Sequence, residues 1–256
     1  MINGGNSIGL LHRYIKSAMG QEHRGIPGVG TRIVKSSHGN PITINVLGVS
    51  ISDLEIDMNG YGDLDSNASL IKHSSIIQFN AIGNVRSTFD RLLLHDLKNN
   101  RQPKLGDGNF GITVTSGIYS HNTSLKISNS LIYNIVSRDN STNTSRCVGI
   151  YFPNVSCCNI VANCTIYKII KDISGQSAGI FYSGASNNIY RNNISVMASG
   201  STPGYRMSYG RDTIMAGDFD YCMSDDETAH GDNSITNVNL NRQFVSTVDG
   251  LSLIHI

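Results

Sequence analysis

The stretches "SLKISNSLIYNIV" (residues 124–136) and "CNIVANCTIYKII" (residues 158–170) decide the fold. Their central parts, "NSLIYNI" and "NCTIYKI", match almost position for position, starting at Asn129 and at Asn163. In both, apolar residues alternate with polar residues, which is the period of a β-strand and not of a helix. The chain therefore contains at least two copies of one strand-forming unit.

Related units lie on both sides of this pair. Three more stretches share the polar residue, the alternating apolar residues and the second polar residue: "VSISDLEIDMN" (49–59), "STFDRLLLHDLKN" (87–99) and "SNNIYRNNISVM" (186–197). A second motif recurs as "GITV" at Gly111, "GIYF" at Gly149 and "GIFY" at Gly179. A fixed order of motifs with a period that drifts over roughly 28–38 residues indicates stacked units joined by loops of unequal length.

These repeats predict an all-β chain folded as a parallel β-helix, a solenoid of roughly five to seven coils. Ile, Val, Thr, Asn and Gly dominate the repeats, and only 15% of the residues are charged. Asn side chains at the bends can hydrogen-bond to their equivalents in the next coil, so an Asn-rich chain can still bury its polar groups. The whole repeat region is expected to form one continuous core.

Composition and charge exclude several classes of protein. The formal net charge is +1, so there is no basic field that would favour nucleic acid. The chain has no apolar run of 18 residues, so no membrane span is expected. The odd number of cysteines, five, argues against a disulfide framework, and their spacing is not typical of a metal site. No organic cofactor is predicted.

The repeats resemble the right-handed parallel β-helix of the pectin-lyase-like superfamily, over roughly residues 30–245. A narrower resemblance, carried by "HRYIKSAMGQEHRGIPGVGTRIV" followed by "VSISDLEIDMNG", is to β-helix proteins of environmental bacteria and their phages. It implies a strand at 12–18 and an N-terminal lead-in, residues 1–29, that continues a longer protein. It also implies an extracellular, cell-surface or virion location.

The last residues, "LSLIHI" (251–256), differ in character from the polar chain before them. One reverse translation of these six residues is the transposon mosaic end used in sequencing libraries. We therefore expect a translated library adaptor here, within a truncated end at 246–256, and a protein that is longer at both ends. The alternative is a genuine last strand.

The first repeat places three carboxylates on one side of a strand. Residues 54, 56 and 58 are apolar and should point inward, so Asp53, Glu55 and Asp57 should point outward. Three carboxylates on one face could hold Ca²⁺, which prefers oxygen ligands. The plainer alternative is a solvated face.

Alignment of the repeats builds two columns along the solenoid. The predicted inward column is Ile56, Leu94, Ile132, Ile166 and Ile194, and the outward column is Asp57, His95, Tyr133, Tyr167 and Ser195. Asp57 beside His95 could act as an acid–base pair, with Glu55 and Arg91 nearby. Tyr133 over Tyr167 could form a platform for a sugar ring, or could simply stabilise the stack. A loop at 200–220 adds Arg206 and Arg211 as candidate substrate-binding residues.

The superfamily implies three functions. Its lyases and hydrolases cleave polysaccharide on the outer face of one sheet. This sequence lacks "N-T-D" followed by "D-D" and "G-H-G", which is typical of the hydrolases, and lacks the "R-x-P-x-x-R" of the pectate lyases. We therefore expect a non-catalytic β-helix that contacts polysaccharide or a cell-surface glycan. The alternatives are a polysaccharide lyase or glycoside hydrolase, and a purely structural stalk. A homo-oligomer, a trimer for example, is the expected assembly of the full-length protein.

Overall fold

Three parallel β-sheets build the molecule in the computed structural model. The structure describes residues 13–37, 39–61, 73–99, 114–121, 123–138, 146–153, 158–171, 176–182, 188–196, 206–211, 218–229, 231 and 233–239. The strands number β1 to β21, and no helix occurs among these residues. Within the same residues, therefore, no helix is long and apolar enough to cross a membrane.

Each sheet collects one strand from successive coils. Sheet 1 contains β1 (Arg13–Lys16), β4 (Val49–Ser52), β7 (Gly83–Asp90), β11 (Thr123–Ser128), β14 (Ile160–Ala162), β17 (Ile189–Arg191) and β20 (Asp218–Asp220). Sheet 2 contains β2 (Arg32–Val34), β5 (Glu55–Asp57), β8 (Leu93–His95), β9 (Lys98–Asn99), β12 (Leu131–Ser137), β15 (Thr165–Lys171), β18 (Ile194–Val196) and β21 (Met223–Ser224). Sheet 3 contains β3 (Ile42–Ile44), β6 (His73–Phe79), β10 (Val114–Ser120), β13 (Arg146–Phe152), β16 (Gln176–Tyr182) and β19 (Arg206–Arg211).

The chain passes through sheets 1, 2 and 3 in that order and then begins the next coil. All pairs of neighbouring strands are parallel, for example β12 with β15 and β13 with β16. This confirms the predicted all-β parallel solenoid, while its handedness and the number of five to seven coils stay predictions. The strand expected at 12–18 is β1, which pairs with β4 in sheet 1.

The inward residues of the three sheets form one apolar core. Ile56, Leu94, Ile132 and Ile166 lie in register on adjacent strands of sheet 2 and are fully buried, as predicted. The column then departs from the prediction, because Ser195 and not Ile194 lies beside Ile166. The outward column is shifted in the same way and ends at Val196, beside Tyr167, rather than at Ser195.

The reason for the shift is the turn between sheets 1 and 2. One residue at this corner has a left-handed backbone in coil after coil, with φ between 48° and 61°. These corner residues are Asp53, Arg91, Asn129, Asn163, Asn192 and Tyr221. The corner fixes the register of the strand that follows, so Asn192 beside Asn163 places Ser195 beside Ile166.

In sheet 3, the structure corrects two further predictions. Gly149 lies beside Gly117, in "GIYS", and beside Gly179, whereas Gly111 lies outside the described residues. Residues 206–211, expected in a loop, form β19 and pair in parallel with β16. The region 200–220 therefore contributes a regular strand to the solenoid.

Candidate functional site

The outer face of sheet 2 brings Glu55, Asp57 and His95 together, as the aligned repeats predicted. One ligand atom from each lies within 4.8 Å of the others. The alternative of a solvated face does not hold, because the exposed fractions of Glu55 and Asp57 are 0% and 5%, and His95 is only 3% exposed. Sequence alternation gives the direction of a side chain but not whether something covers it.

His95 lies between two carboxylates. Its Nε2 is 3.0 Å from Glu55 Oε1 and its Nδ1 is 2.8 Å from Asp96 Oδ2. Burial alone would lower the pKa of His95, but hydrogen bonds to Asp96 and Glu55 outweigh burial and raise it. Burial alone would likewise raise the pKa of Asp96, but hydrogen bonds from His95 and Asn134 lower it. The two hydrogen bonds of the His95 ring therefore favour its protonated form.

The other oxygens of this cluster also have donors within the protein. Arg32 Nε lies 3.1 Å from Glu55 Oε1, and its Nη2 donates to Asp57 Oδ2. Backbone N–H groups complete the set: Gly28 N donates to Glu55 Oε2 at 2.8 Å, and Asn59 N donates to Asp57 Oδ1 at 2.6 Å. Each carboxylate of the cluster therefore has donors within the protein, and Ca²⁺ binding by these oxygens stays a prediction.

Asp53 and Arg91 form a separate ion pair at the corner between sheets 1 and 2. Arg91 donates from Nε to Asp53 Oδ1 at 2.5 Å and from Nη2 to Asp53 Oδ2 at 2.9 Å, and its Nη1 donates to Asp90. These bidentate bonds lower the pKa of Asp53 and raise that of Arg91. Asp53 is therefore not a third ligand beside Glu55 and Asp57, and Arg91 is not placed at His95.

The predicted tyrosine column is present but its ring faces are covered. His95 stacks on Tyr133 with centroids 4.8 Å apart and rings 9° from parallel, and Tyr133 stacks on Tyr167 at 5.0 Å and 8°. Tyr167 also packs against Val196 and Val238 and is only 7% exposed. A sugar ring needs a free aromatic face, so this geometry favours the alternative that the column stabilises the stack.

The predicted substrate-binding pair Arg206 and Arg211 begins and ends β19. The backbone of this strand pairs with β16, whereas the two side chains lie outside the described part of the chain.

A groove of about 650 Å³ runs along the corner between sheets 1 and 2. We call it the corner groove. Its floor combines polar residues at the turns with the apolar side chains of Leu92 and Leu131, and one wall is formed by residues 22–25. The floor residues include Asp53, Arg91, Leu92, Asn129, Leu131 and Asn163.

Residues 17–31, between β1 and β2, supply this wall and are called the strap. His23 is 5% exposed, and its Nε2 lies 2.7 Å from the carbonyl oxygen of Arg91. Its Nδ1 accepts a hydrogen bond from Gly25 N, so the ring is uncharged and Nε2 donates. The apolar side chains of the strap face outward instead, with Met19 99% and Ile26 55% exposed. Polar contacts, not apolar ones, therefore hold the strap on the solenoid.

Asn side chains form a ladder along the floor of the groove. Asn192 donates to Asn163 at 3.1 Å, Asn163 to Asn129 at 3.0 Å, and Asn129 to Asp90 at 2.8 Å. Asn192 belongs to the ladder but not to the lining of the groove. The ladder confirms the expectation that Asn side chains at the bends hydrogen-bond to their equivalents in the next coil.

Three other residues of the two sites could not be predicted from the repeats in the sequence. Asp96 and Arg32 complete the His95 cluster, and His23 anchors the strap, yet none repeats along the chain. Asp96 also borders a second cleft, of about 320 Å³, together with Lys98 and Arg138.

In comparisons with protein-family models, curated proteins and solved structures, the chain matches none of them. The likeness to pectin-lyase-like proteins is therefore one of sequence pattern alone.

Proposed function

We propose that this protein is an extracellular or virion-associated β-helix that contacts polysaccharide, without cleaving it, through the corner groove. The observation that carries the proposal is a groove of about 650 Å³ in which polar corner residues recur coil by coil and apolar side chains also line the surface. Sugars present hydroxyl groups around an apolar ring, and this alternation of polar and apolar lining suits them.

The Asn ladder leaves hydrogen-bonding capacity for a ligand. Each amide has two N–H donors and an oxygen with two lone pairs. The ladder bonds of Asn163 use one donor toward Asn129 and one lone pair toward Asn192. One donor and one acceptor therefore remain at a corner that is exposed to solvent. A hydroxyl group, which both donates and accepts, is the complementary partner.

The test is glycan binding by the full chain with a matched pair of variants. Asn163→Gly removes a side chain that lines the groove, and Asn192→Gly removes the same side chain from the same ladder outside it. Glycine tolerates the left-handed backbone at both positions. On a glycan array, we expect Asn163→Gly to weaken binding at least about fivefold, equivalent to the loss of one net hydrogen bond. Asn192→Gly should bind as the unmodified protein does.

No release of oligosaccharides should accompany binding. Failure to bind any glycan would contradict the proposal and leave a structural stalk as the remaining function. Equal losses in both variants would show that the groove is not the binding site.

A lyase or hydrolase remains the second candidate because of one specific arrangement. His95 links the buried Glu55 to Asp96, which borders the second cleft beside Lys98 and Arg138. A carboxylate backed by a histidine can move a proton to or from a substrate. If the protein cleaves a polysaccharide, Asp96→Asn should reduce turnover by at least about 100-fold. Unchanged turnover in this variant would exclude this site.

A further inference from the structure

In the corner groove, the two charged side chains at the floor are paired with each other. Two carboxylates and two guanidinium groups line it: Glu22, Asp53, Arg24 and Arg91. His23, in the wall, is uncharged because its Nδ1 accepts from Gly25 N. The formal charges of the lining therefore cancel.

The guanidinium at the floor of the groove is already occupied. Arg91 uses Nε and Nη2 on Asp53 and Nη1 on Asp90, so three of its donors are committed to two carboxylates. A carboxylated sugar approaching Arg91 would meet two negative charges beside the single positive one. Arg24, in the strap, is the remaining cation of the lining, and Glu22 lies two residues before it.

The hydrogen-bonding groups of the floor are uncharged. Asn129, Asn163 and Thr165 offer amide and hydroxyl groups, and Leu92 and Leu131 offer apolar surface. Neutral hydroxyl groups satisfy such a surface without a counter-ion, whereas an anion would lose hydration there and gain no unpaired cation at the floor.

We propose, on the basis of the polysaccharide-binding function above, that the corner groove selects uncharged sugars and discriminates against uronate-type and other carboxylated polymers. The discrimination comes from Asp53, in the lining, and Asp90, beside it, because these two carboxylates together carry one more charge than the Arg91 guanidinium that they hold. We expect this one excess negative charge to reduce the affinity for a carboxylated polymer at least about tenfold.

The experiment compares binding of the full chain to polysaccharides that differ only in charge. The probes are a panel of neutral polysaccharides, each in unmodified and carboxymethylated form, in affinity electrophoresis and at about 0.05 M and about 0.5 M NaCl. We expect retardation by at least one neutral polymer, weaker retardation by its carboxymethylated form, and no loss of neutral binding at the higher salt concentration.

Two variants test the cause of the selectivity. Asp53→Asn removes one carboxylate from Arg91 and should increase binding of the carboxymethylated polymer at least about threefold. Thr165→Lys adds a cation to the floor without disturbing this ion pair and should have the same effect if Asp53→Asn does not fold. Circular dichroism establishes folding of each variant.

The outcomes separate the two proposals. Binding of carboxymethylated polymers in preference to neutral ones, with loss at high salt, would overturn the selectivity and leave the polysaccharide-binding function standing. Absence of binding to every polymer and to the glycan array would overturn the function itself.

Discussion

At the scale of single residues, the corner asparagines serve the backbone and the side-chain network together. Asn129, Asn163 and Asn192 have φ angles of 51°, 55° and 53°, in the left-handed region that Asn enters more readily than most residues. Their side chains hydrogen-bond from coil to coil at the same time. A substitution at these positions therefore changes backbone strain and hydrogen bonding, and the two effects can be separated.

Substitution of Asn192 by Gly and by Ala separates them. Both remove the ladder bond, but only Ala adds the strain of a left-handed backbone, about 1–2 kcal/mol. We expect Asn192→Ala to unfold at a lower urea concentration than Asn192→Gly. At Thr165, within β15, the order should reverse, because glycine in a strand costs about 0.5–1 kcal/mol relative to alanine. The same order at both positions would contradict the backbone argument.

The residues of the His95 cluster show which features of the site could be predicted from the sequence. Alternation correctly placed residues 54, 56 and 58 inside and brought Asp57 beside His95. It could not show that Glu55 is buried, because the cover includes Gly28 and Arg32 from a non-repeating segment. It could not assign Arg91 to Asp53 either, since that depends on a corner that turns both residues away from the strand. The alternation of residues in a strand therefore predicts which way each side chain points. Its burial and its partners depend on contacts with distant parts of the chain.

At the scale of elements, the strap depends on a few polar contacts. Arg32, which follows it in β2, neutralises Glu55 and Asp57 together. Arg32→Gln would leave these two buried carboxylates with one fewer cation, so we expect the strap to open more often. Tryptic cleavage after Arg24 should become at least about fivefold faster, as mass spectrometry of timed digests can measure. Arg86→Gln, at a surface Arg bound to Ser124 Oγ, is the control and should leave cleavage unchanged.

The stability of the solenoid also depends on the column of glycines in sheet 3. A Cβ on Gly149 would lie 2.5 Å from Ile166 Cγ2 and 2.6 Å from the carbonyl oxygen of Gly179. The backbone oxygen cannot move without separating β13 from β16, so Gly149→Ala should lower the free energy of unfolding by about 1–3 kcal/mol. Adding Ile166→Ala should not restore stability in urea unfolding, because it relieves only the side-chain contact. Full recovery would show that the backbone approach is unimportant.

The register of whole strands was predictable where the corner residue was identified correctly. "NSLIYNI" and "NCTIYKI" carry their asparagines at the corner, so Tyr133 was placed beside Tyr167 as observed. In "RNNISVM" two adjacent asparagines compete for the corner, and Asn192 occupies it while Asn193 is fully buried. Its side chain accepts from Cys164 N. The one-residue shift at Ile194 follows because Asn192, and not Asn193, occupies the corner. Which of the two does so depends on burial, and the local sequence does not show it.

At the scale of the whole molecule, buried and partly buried charges set the pH range of stability. The pKa of His95 is raised above 6.5, mainly because hydrogen bonds to Asp96 and Glu55 outweigh burial. Its contribution to stability is therefore fully present below about pH 6.5 and is lost as the pH rises through the folded-state pKa. The pKa values of Asp53 and Asp96 are lowered below 3.8. Their contribution is present above that pH and is lost as the pH falls through their folded-state pKa values.

The free energy of unfolding should therefore be greatest between about pH 4 and pH 6.5 and decline on both sides. Urea unfolding across this range measures it. His95→Gln removes the titrating imidazole, so it should lower stability at pH 5 by about 3 kcal/mol, the order expected for breaking a buried ion pair. It should also flatten the decline above pH 6.5. Asp53→Asn should leave that alkaline decline in place and reduce the acidic one, because Asp53 pairs with Arg91 and not with His95. An alkaline decline that persists unchanged in His95→Gln would show that His95 is not charged in the folded protein.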